Sequence, residues 1–563
     1  MSMHTSLSQH HSNAPHGWPE GALVYQVYPR SFQDTNGDGI GDLPGITRRL
    51  PHIRSLGANT VWLSPFYPSP MADFGYDVAD YCDVDPQLGS LDDFKELLQE
   101  AKTNKLRIFT DLVPNHTSDQ HAWFKRSRTS RDNAYSDWYV WHDAVGRDAS
   151  GNPLPPNNWR DALSGDSAWE WSPEREQFYL HSFTVHQPDL NWSNPEVREA
   201  LKDVMRFWLA LGVDGFRVDA VYWMAKHPLL HDDSINQEYV EGEDLKYEAL
   251  AHDNSRGWPA VYAYLTEMAD VLKEPAFQDK PRFMVTEAYP DCHNPLPAYM
   301  NFYASVDPSV AAPFNFEGLT LAWHASEWRK FLKSFHSALE QFSARCIASY
   351  AFGNHDQPRI ASRLGESAAR SAAVLLLTLP GMVFLYYGDE IGMKDVPIPP
   401  ELIQDPAANG DPKHHLGRDP ERTPMQWSAE QNAGFSDAAQ PWLPVADDYQ
   451  THNVEAESQD GRSILSLYRL LGNKRASEAS LLHGDLHILD VANDEVLGYT
   501  RTSDGEGPGF AVFVNFSAEV AVFEPTVQLG KLVVSSDPQS ELTAVLPDVI
   551  TLQPHEALLC YLA

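Results

Sequence analysis

Residues 213–220 read VDGFRVDA. Phe216 and Val218 alternate with Gly215, Arg217 and Asp219, the two-residue period of a strand. The run ends on a carboxylate. Three other segments end in a similar way: DLVPNH at 111–116, MVTEAY at 284–289 and FGNHDQPR at 352–359. One such ending is commonplace, because Asp and Asn cap helices. Four of them meet only if the strands that carry them are gathered round one axis.

Working outward, short apolar, β-branched runs recur at Val24–Tyr28, Thr60–Ser64, Arg107–Leu112, Asp214–Asp219, Phe283–Glu287, Ala312–Phe316, Ile347–Phe352 and Val383–Tyr387. Amphipathic stretches such as Leu91–Ala101, Pro195–Leu211 and Ala368–Leu379 follow most of them. Strands that alternate with helices pair in parallel through right-handed crossovers, and eight such strands close a barrel whose C-terminal rim carries the chemistry. The expected fold class is therefore α/β, a (β/α)8 TIM barrel.

The spacing is uneven. Residues 117–186 are rich in Trp, Asn, Pro and Asp with little periodicity, and predict a subdomain inserted after the third strand. A second irregular excursion occupies 391–445. From about 480 alternating apolar runs such as LHILDVAN, VLGYTR and GFAVFVNF predict a C-terminal antiparallel β-sandwich domain, taken as 479–563. The barrel then takes 18–116 and 187–478. The opening residues 1–17, polar and without an apolar core, read as a disordered tail rather than a signal peptide.

The chain has 563 residues with 42 Lys+Arg against 78 Asp+Glu, a net charge of -36. Such a field repels nucleic acid and anionic membranes, and no apolar run reaches the roughly 18 residues of a membrane span. Neither is expected as a partner. The four cysteines, Cys82, Cys292, Cys346 and Cys560, are scattered without a CxxC pair. That usage predicts reduced thiols and a cytoplasmic protein.

In order and spacing the four segments resemble the signature regions of the α-amylase family of glycoside hydrolases, over nearly the whole chain from Leu23. The resemblance implies a barrel, an insertion after strand three and a C-terminal β domain. It also implies Asp219 as nucleophile, Glu287 as general acid/base and Asp356 as a third essential carboxylate that grips sugar hydroxyls. Retaining cleavage needs two carboxyl groups about 5–5.5 Å apart, one to attack the anomeric carbon and one to protonate the leaving oxygen. Arg217, two residues before Asp219, points to the same strand face and favours its ionised form. His116 and His355 are expected to donate to sugar hydroxyls.

Further residues are similar to the α-glucosidase and oligo-1,6-glucosidase branch. ADFGYD supplies Asp73 for the terminal glucose hydroxyls and Tyr76 to stack on its ring; HSFTVHQPDLNW supplies Phe183 and Gln187; RDPERTPMQW supplies Arg422. An aromatic floor with carboxylate–hydroxyl bonds suits sugars, whose faces are apolar and edges polar. The implied activity is a retaining, exo-acting α-glucosidase on short α-glucosides such as maltose, isomaltose or sucrose. Ala220 follows the nucleophile, where 1,6-cleaving relatives tend to carry Val and maltose-type enzymes often Thr, so the linkage stays open. Similarity to trehalose synthases in HTSDQHAWF, YGDEIGM and RTPMQW makes a disaccharide isomerase or transglucosylase, including a sucrose-acting one, the alternative. A non-catalytic carbohydrate-binding subunit is the remote one.

DTNGDGIGD at 34–42 places Asp34, Asn36, Asp38 and Gly39 at positions 1, 3, 5 and 6 of a calcium loop, with the Ile40 carbonyl next. Position 12 is Gly45 rather than Glu, so Asp42 is the expected closing ligand. The loop resembles the small structural Ca²⁺ loop of the same branch, with Mg²⁺ as the other hard cation it suits.

Overall fold

The structure, a computed structural model, describes residues 18–287, 295–342, 346–410, 417–505, 507–540 and 546–563. The expected tail at 1–17 lies outside the described residues, as do Tyr289 and Cys292.

Eight parallel strands form the barrel: β1 (Leu23–Val27), β2 (Thr60–Leu63), β3 (Arg107–Leu112), β4 (Gly215–Val218), β5 (Phe283–Thr286), β6 (Ala311–Pro313), β7 (Ser349–Ala351) and β8 (Met382–Tyr386). Their order is β6-β5-β4-β3-β2-β1-β8-β7. Nearly every strand residue is buried, because the barrel interior faces one side and the helices the other. Side chains fix where the helices begin. Ser90 and Asp93 form a capping box for Leu91–Thr103, and Asn194 caps Pro195–Leu211, which ends at Gly212 in the left-handed region with φ 119°.

The ring is not fully laddered. Among the described residues no backbone ladder joins β6 to β7. The Ser349 hydroxyl fills the seam, donating to Pro313 O at 2.7 Å and accepting from Asn315 N at 3.1 Å. The sixth and seventh strands are shorter than the expected Ala312–Phe316 and Ile347–Phe352. Pro313 offers no amide to a ladder, and a side chain at Gly353 would sit 2.9 Å from Asp389.

Between β3 and β4 a small antiparallel sheet of Trp141–His142, Gln177–Leu180 and Trp169–Ser172 packs round Trp159, Trp169 and Phe178. This is the inserted subdomain. Lys226, beyond β4, ties the two ends of this insertion, its ammonium 2.5 Å from Asp189 just after it and 3.1 Å from Asn115 Oδ1 just before it.

The C-terminal part consists of β9 (Asp485–Ile488), β10 (Val496–Thr502), β11 (Phe510–Asn515), β12 (Ala521–Phe523), β13 (Leu529–Ser535), β14 (Ile550–Leu552) and β15 (Ala557–Leu562). An antiparallel sheet in the order β9-β10-β11-β15-β13 faces the pair β12–β14. In β11, Phe510, Val512 and Val514 join the main core, whereas Ala511 and Phe513 join the core between the two sheets. The alternating pattern thus glues the sandwich to the barrel on one face and closes it on the other.

At this junction two arginines are fully buried among backbone carbonyls. Arg475 donates to the carbonyls of Gly21, Leu377, Leu379 and Gly381. Arg501 donates to those of Thr378, Leu481 and Gly484. Both serve the carbonyls that end the helix Glu366–Thr378, where the helix dipole favours positive charge. Cys82 and Cys560 are free thiols, and no described helix is long and apolar enough to cross a membrane.

Candidate active site

Parallel register brings the acidic strand ends level. Val218 pairs with Leu112 on one side and Thr286 on the other. The next residues, Asp219 and Glu287, therefore leave neighbouring strands side by side, with Asp219 N bonded to Leu112 O at 2.8 Å and Glu287 N to Val218 O at 2.7 Å.

One guanidinium holds the group together. Arg217 lies 2.6 Å from Asp219, 2.6 Å from Glu287 and 3.0 Å from Asp111. All four side chains are buried. Burial pushes Asp219 up, and the charges of Glu287 and Asp111 add to the rise against the pull of Arg217. Burial likewise raises Asp111 to about 7, although Arg217 opposes it. Crowding of like charges in a buried site thus works against ionisation of Asp219 and Asp111, and the single guanidinium works for it.

The backbone adds a further fixed dipole. Ala220 adopts φ 46° and ψ 37°, the left-handed region that a residue with a Cβ seldom enters. Its amide donates to Glu287 Oε2 at 2.9 Å. The unfavourable conformation sits where it orients a functional carboxylate.

Asp356 lives in a different field. Burial alone would raise it, but His355, Arg418, Arg422 and Arg217 hold it well below the usual carboxylate range. Arg422 lies 2.8 Å and Arg418 3.3 Å from Asp356 Oδ1. Arg418 also bridges to Asp73 at 2.7 Å and Asp405 at 2.8 Å. The same carboxylate type is thus pushed up at Asp219 and held down at Asp356.

These residues open on a cavity of about 350 Å³, lined by Asp73, Tyr76, His116, Phe183, Asp219, Glu287, Asp356 and Arg418, and by a second group round Trp223, Tyr247 and Arg256. Its size suits one or two sugar rings. Phe183 stands between His116 and Trp223, with ring centroids 5.2 Å from each.

Four expected contact residues stand behind the wall rather than in it. Arg217 is one. Gln187 is fully buried and donates to Asp73 Oδ2 at 3.0 Å. His355 is fully buried too, with its Nε2 3.3 Å from Asp356 Oδ2. Gln26 Nε2 lies 2.8 Å from its Nδ1, which leaves Nε2–H for the Tyr76 hydroxyl at 2.6 Å. Tyr76 stacks on His355 with the planes 6° apart and donates on to Asp111. Arg422 braces Asp356 and the His355 carbonyl from behind, and Arg418, four residues earlier, faces the cavity instead. His116 does line the cavity; burial lowers it to about 4, so it is neutral, with Nε2 directed at Tyr76 O at 3.2 Å.

Sequence reasoning missed Arg418, although it lies in the segment that supplied Arg422. It also missed Trp223, Tyr247 and Arg256, which occupy an irregular stretch with no period to expose them.

The 34–42 loop winds through successive Asx turns. Asp34 Oδ1 accepts from Asn36 N, Asn36 Oδ1 from Asp38 N, and Asp38 Oδ1 from Ile40 N, at 2.8–2.9 Å. These alternating hard oxygens fit a Ca²⁺-type loop. Asp42 fits less well as a closing ligand, since its oxygens accept from Thr35 N at 2.8 Å and Gly45 N at 2.7 Å while it caps Leu43–Ser55. Among the described residues no three acidic, His or Cys side chains converge on one point as metal ligands.

The family profile for the alpha-amylase catalytic domain matches residues 26–484. The chain is 39% identical over 545 residues to the salivary alpha-glucosidase of Aedes aegypti, covering 94% of this chain and 92% of that one. Among solved structures it is similar to the alpha-glucosyl transfer enzyme XgtA, at TM-score 0.88 and 34% identity over 98% of this chain and all of the other. The trehalulose synthase MutB from Pseudomonas mesoacidophila MX-45 follows at TM-score 0.83 and 32% identity, over 98% of this chain and 100% of that one. The salivary relative overturns the cytoplasmic placement: members of this kind are not confined to the cytosol. Sparse cysteines do not fix a compartment, because a core this large needs no disulfides. With a profile over most of its length and relatives at this identity, the chain belongs to the alpha-amylase catalytic-domain family and is a glycoside hydrolase.

Proposed function

We propose that the protein is an exo-acting, retaining α-glucosidase that removes the terminal non-reducing glucosyl unit from short α-glucosides such as maltose, isomaltose or sucrose. The observation that carries this reading is the sharing of Arg217 by Asp219 and Glu287, both at 2.6 Å, on adjacent strand ends facing one cavity.

Asp219 attacks the anomeric carbon as its carboxylate. The glycosidic bond breaks, and the leaving oxygen takes the proton of Glu287. Glu287, now ionised, removes a proton from water. That water attacks the same carbon, frees Asp219 and restores the proton to Glu287. Arg217 keeps both groups aligned and Ala220 N–H fixes one oxygen of Glu287. Asp356, held ionised, accepts from sugar hydroxyls and favours positive charge at the ring in the transition state. Asp73 and Arg418 seal the far end, which supports exo action.

A second reading draws on the solved structures named for glucosyl transfer and trehalulose synthesis. If a sugar hydroxyl replaces water in the second step, the same residues make a disaccharide isomerase or transglucosylase. Incubation with p-nitrophenyl α-glucoside followed by proton NMR tests the first reading. Release of nitrophenol with α-glucose as first product is expected; β-glucose as first product, or no release, overturns it. A product panel on maltose, isomaltose, sucrose and trehalose separates hydrolysis from transfer. We also take the 34–42 loop to hold Ca²⁺, or Mg²⁺, through Asp34, Asn36, Asp38 and the Ile40 carbonyl as a structural ion outside the chemistry.

A further inference from the structure

Two cations line the cavity, Arg418 and Arg256, and they differ in one respect. Arg418 is neutralised by Asp73, Asp356 and Asp405. Arg256 makes no ion pair among the described residues. Its guanidinium instead lies 5.1 Å from the centre of the Trp223 ring and 6.0 Å from that of Tyr247, both of which line the cavity. Aromatic faces hold a guanidinium in place and leave its in-plane N–H groups free for an oxygen pair.

Phe183 separates the two arginines' surroundings, its ring 5.2 Å from His116 on one side and 5.2 Å from Trp223 on the other. Arg418 bonds both Asp73 and Asp356, with Asp73 buried and the other two half-buried, which closes one end round the glucosyl ring. Trp223, Tyr247 and Arg256 are grouped separately, and next to them Glu248 is solvent-exposed. With the Asp73–Arg418 end closed, this solvent-facing side is the one left open to a leaving group. In a chain of net charge -36, an aromatic-backed cation with no ion pair among the described residues is suited to recognise an anionic group.

We propose that Arg256 is a specificity-determining residue that binds the leaving group through a pair of its oxygens, so that α-glucosides whose second unit carries a carboxylate are preferred substrates. The inference rests on the α-glucosidase reading above and extends it to the aglycone. The experiment compares the native protein with Arg256→Gln on maltose and on maltobionate, the same disaccharide with its reducing end oxidised to a carboxylate. The variant is expected to lose about tenfold in kcat/KM on maltobionate, as for a lost charge-assisted hydrogen bond, and no more than about threefold on maltose. Equal losses on the two substrates overturn the assignment. If the native protein cleaves neither these nor p-nitrophenyl α-glucoside, the glucosidase reading fails instead. Calorimetric titration with gluconate then decides Arg256 independently: binding to the native protein that Arg256→Gln abolishes supports it, and equal or absent binding in both sinks it.

Discussion

Arg418 and Asp73 stand 345 positions apart in sequence and 2.7 Å apart in space. Their bond joins the loop after β2 to the long excursion after β8 and closes the pocket. Arg418→Ala leaves Asp73 and Asp405 buried without their cation. The expected loss is roughly 100-fold in kcat/KM on p-nitrophenyl α-glucoside and about 3 kcal/mol of stability, read by kinetics and chemical denaturation. Retained activity and unchanged stability would contradict this view of the closed end.

Asp219→Asn tests the nucleophile. Turnover is expected to fall by about 10⁴ or more. The melting temperature should hold or rise, since the folded state raises the pKa of Asp219 and so pays to keep it ionised. Appreciable residual turnover in a folded protein would remove the assignment.

Asp111 makes a pH prediction. Its folded value, about 7, lies above the unfolded value near 3.9. Its contribution to stability is therefore full below about pH 4 and lost as the pH rises through 7. Melting temperature measured across that window should fall less steeply in Asp111→Asn than in the native protein. Identical slopes would show that Asp111 does not titrate in this range.

Arg475→Met tests the junction between barrel and sandwich. Several buried carbonyls lose their donor, and a destabilisation of about 3 kcal/mol is expected in chemical denaturation, with activity of the remaining folded fraction unchanged. A change below about 0.5 kcal/mol would refute the role.

Chelation should lower the melting temperature more than the room-temperature rate, because the 34–42 loop stands apart from the carboxylates. An unchanged melting curve after exhaustive chelation, with calcium addition also without effect, would discard the ion.

What the sequence disclosed followed from periodicity. VDGFRVDA announced both a strand and the carboxylate at its rim, since burial and alternation are local properties. The same rule exposed the double-faced β11. It did not separate Arg418 from Arg422, because both lie in one irregular segment and only tertiary contact decides which of them faces inward. Nor did it show that His355 would stack on Tyr76 and share its hydroxyl, because that contact is made across the barrel mouth. Trp223 and Tyr247 sit in single 3-10 turns, and Arg256 in a loop, too short to show a period in the sequence.

The serine in the β6–β7 seam bears on how the site moves. One alcohol there does what a backbone ladder does elsewhere, so the strand that delivers Asp356 is zipped along a single flank. Thermal breathing of the ring should begin at that clasp. Asp356 escapes the consequence only because two arginines from a remote loop grip it, so its placement is inherited from that loop and not from the barrel.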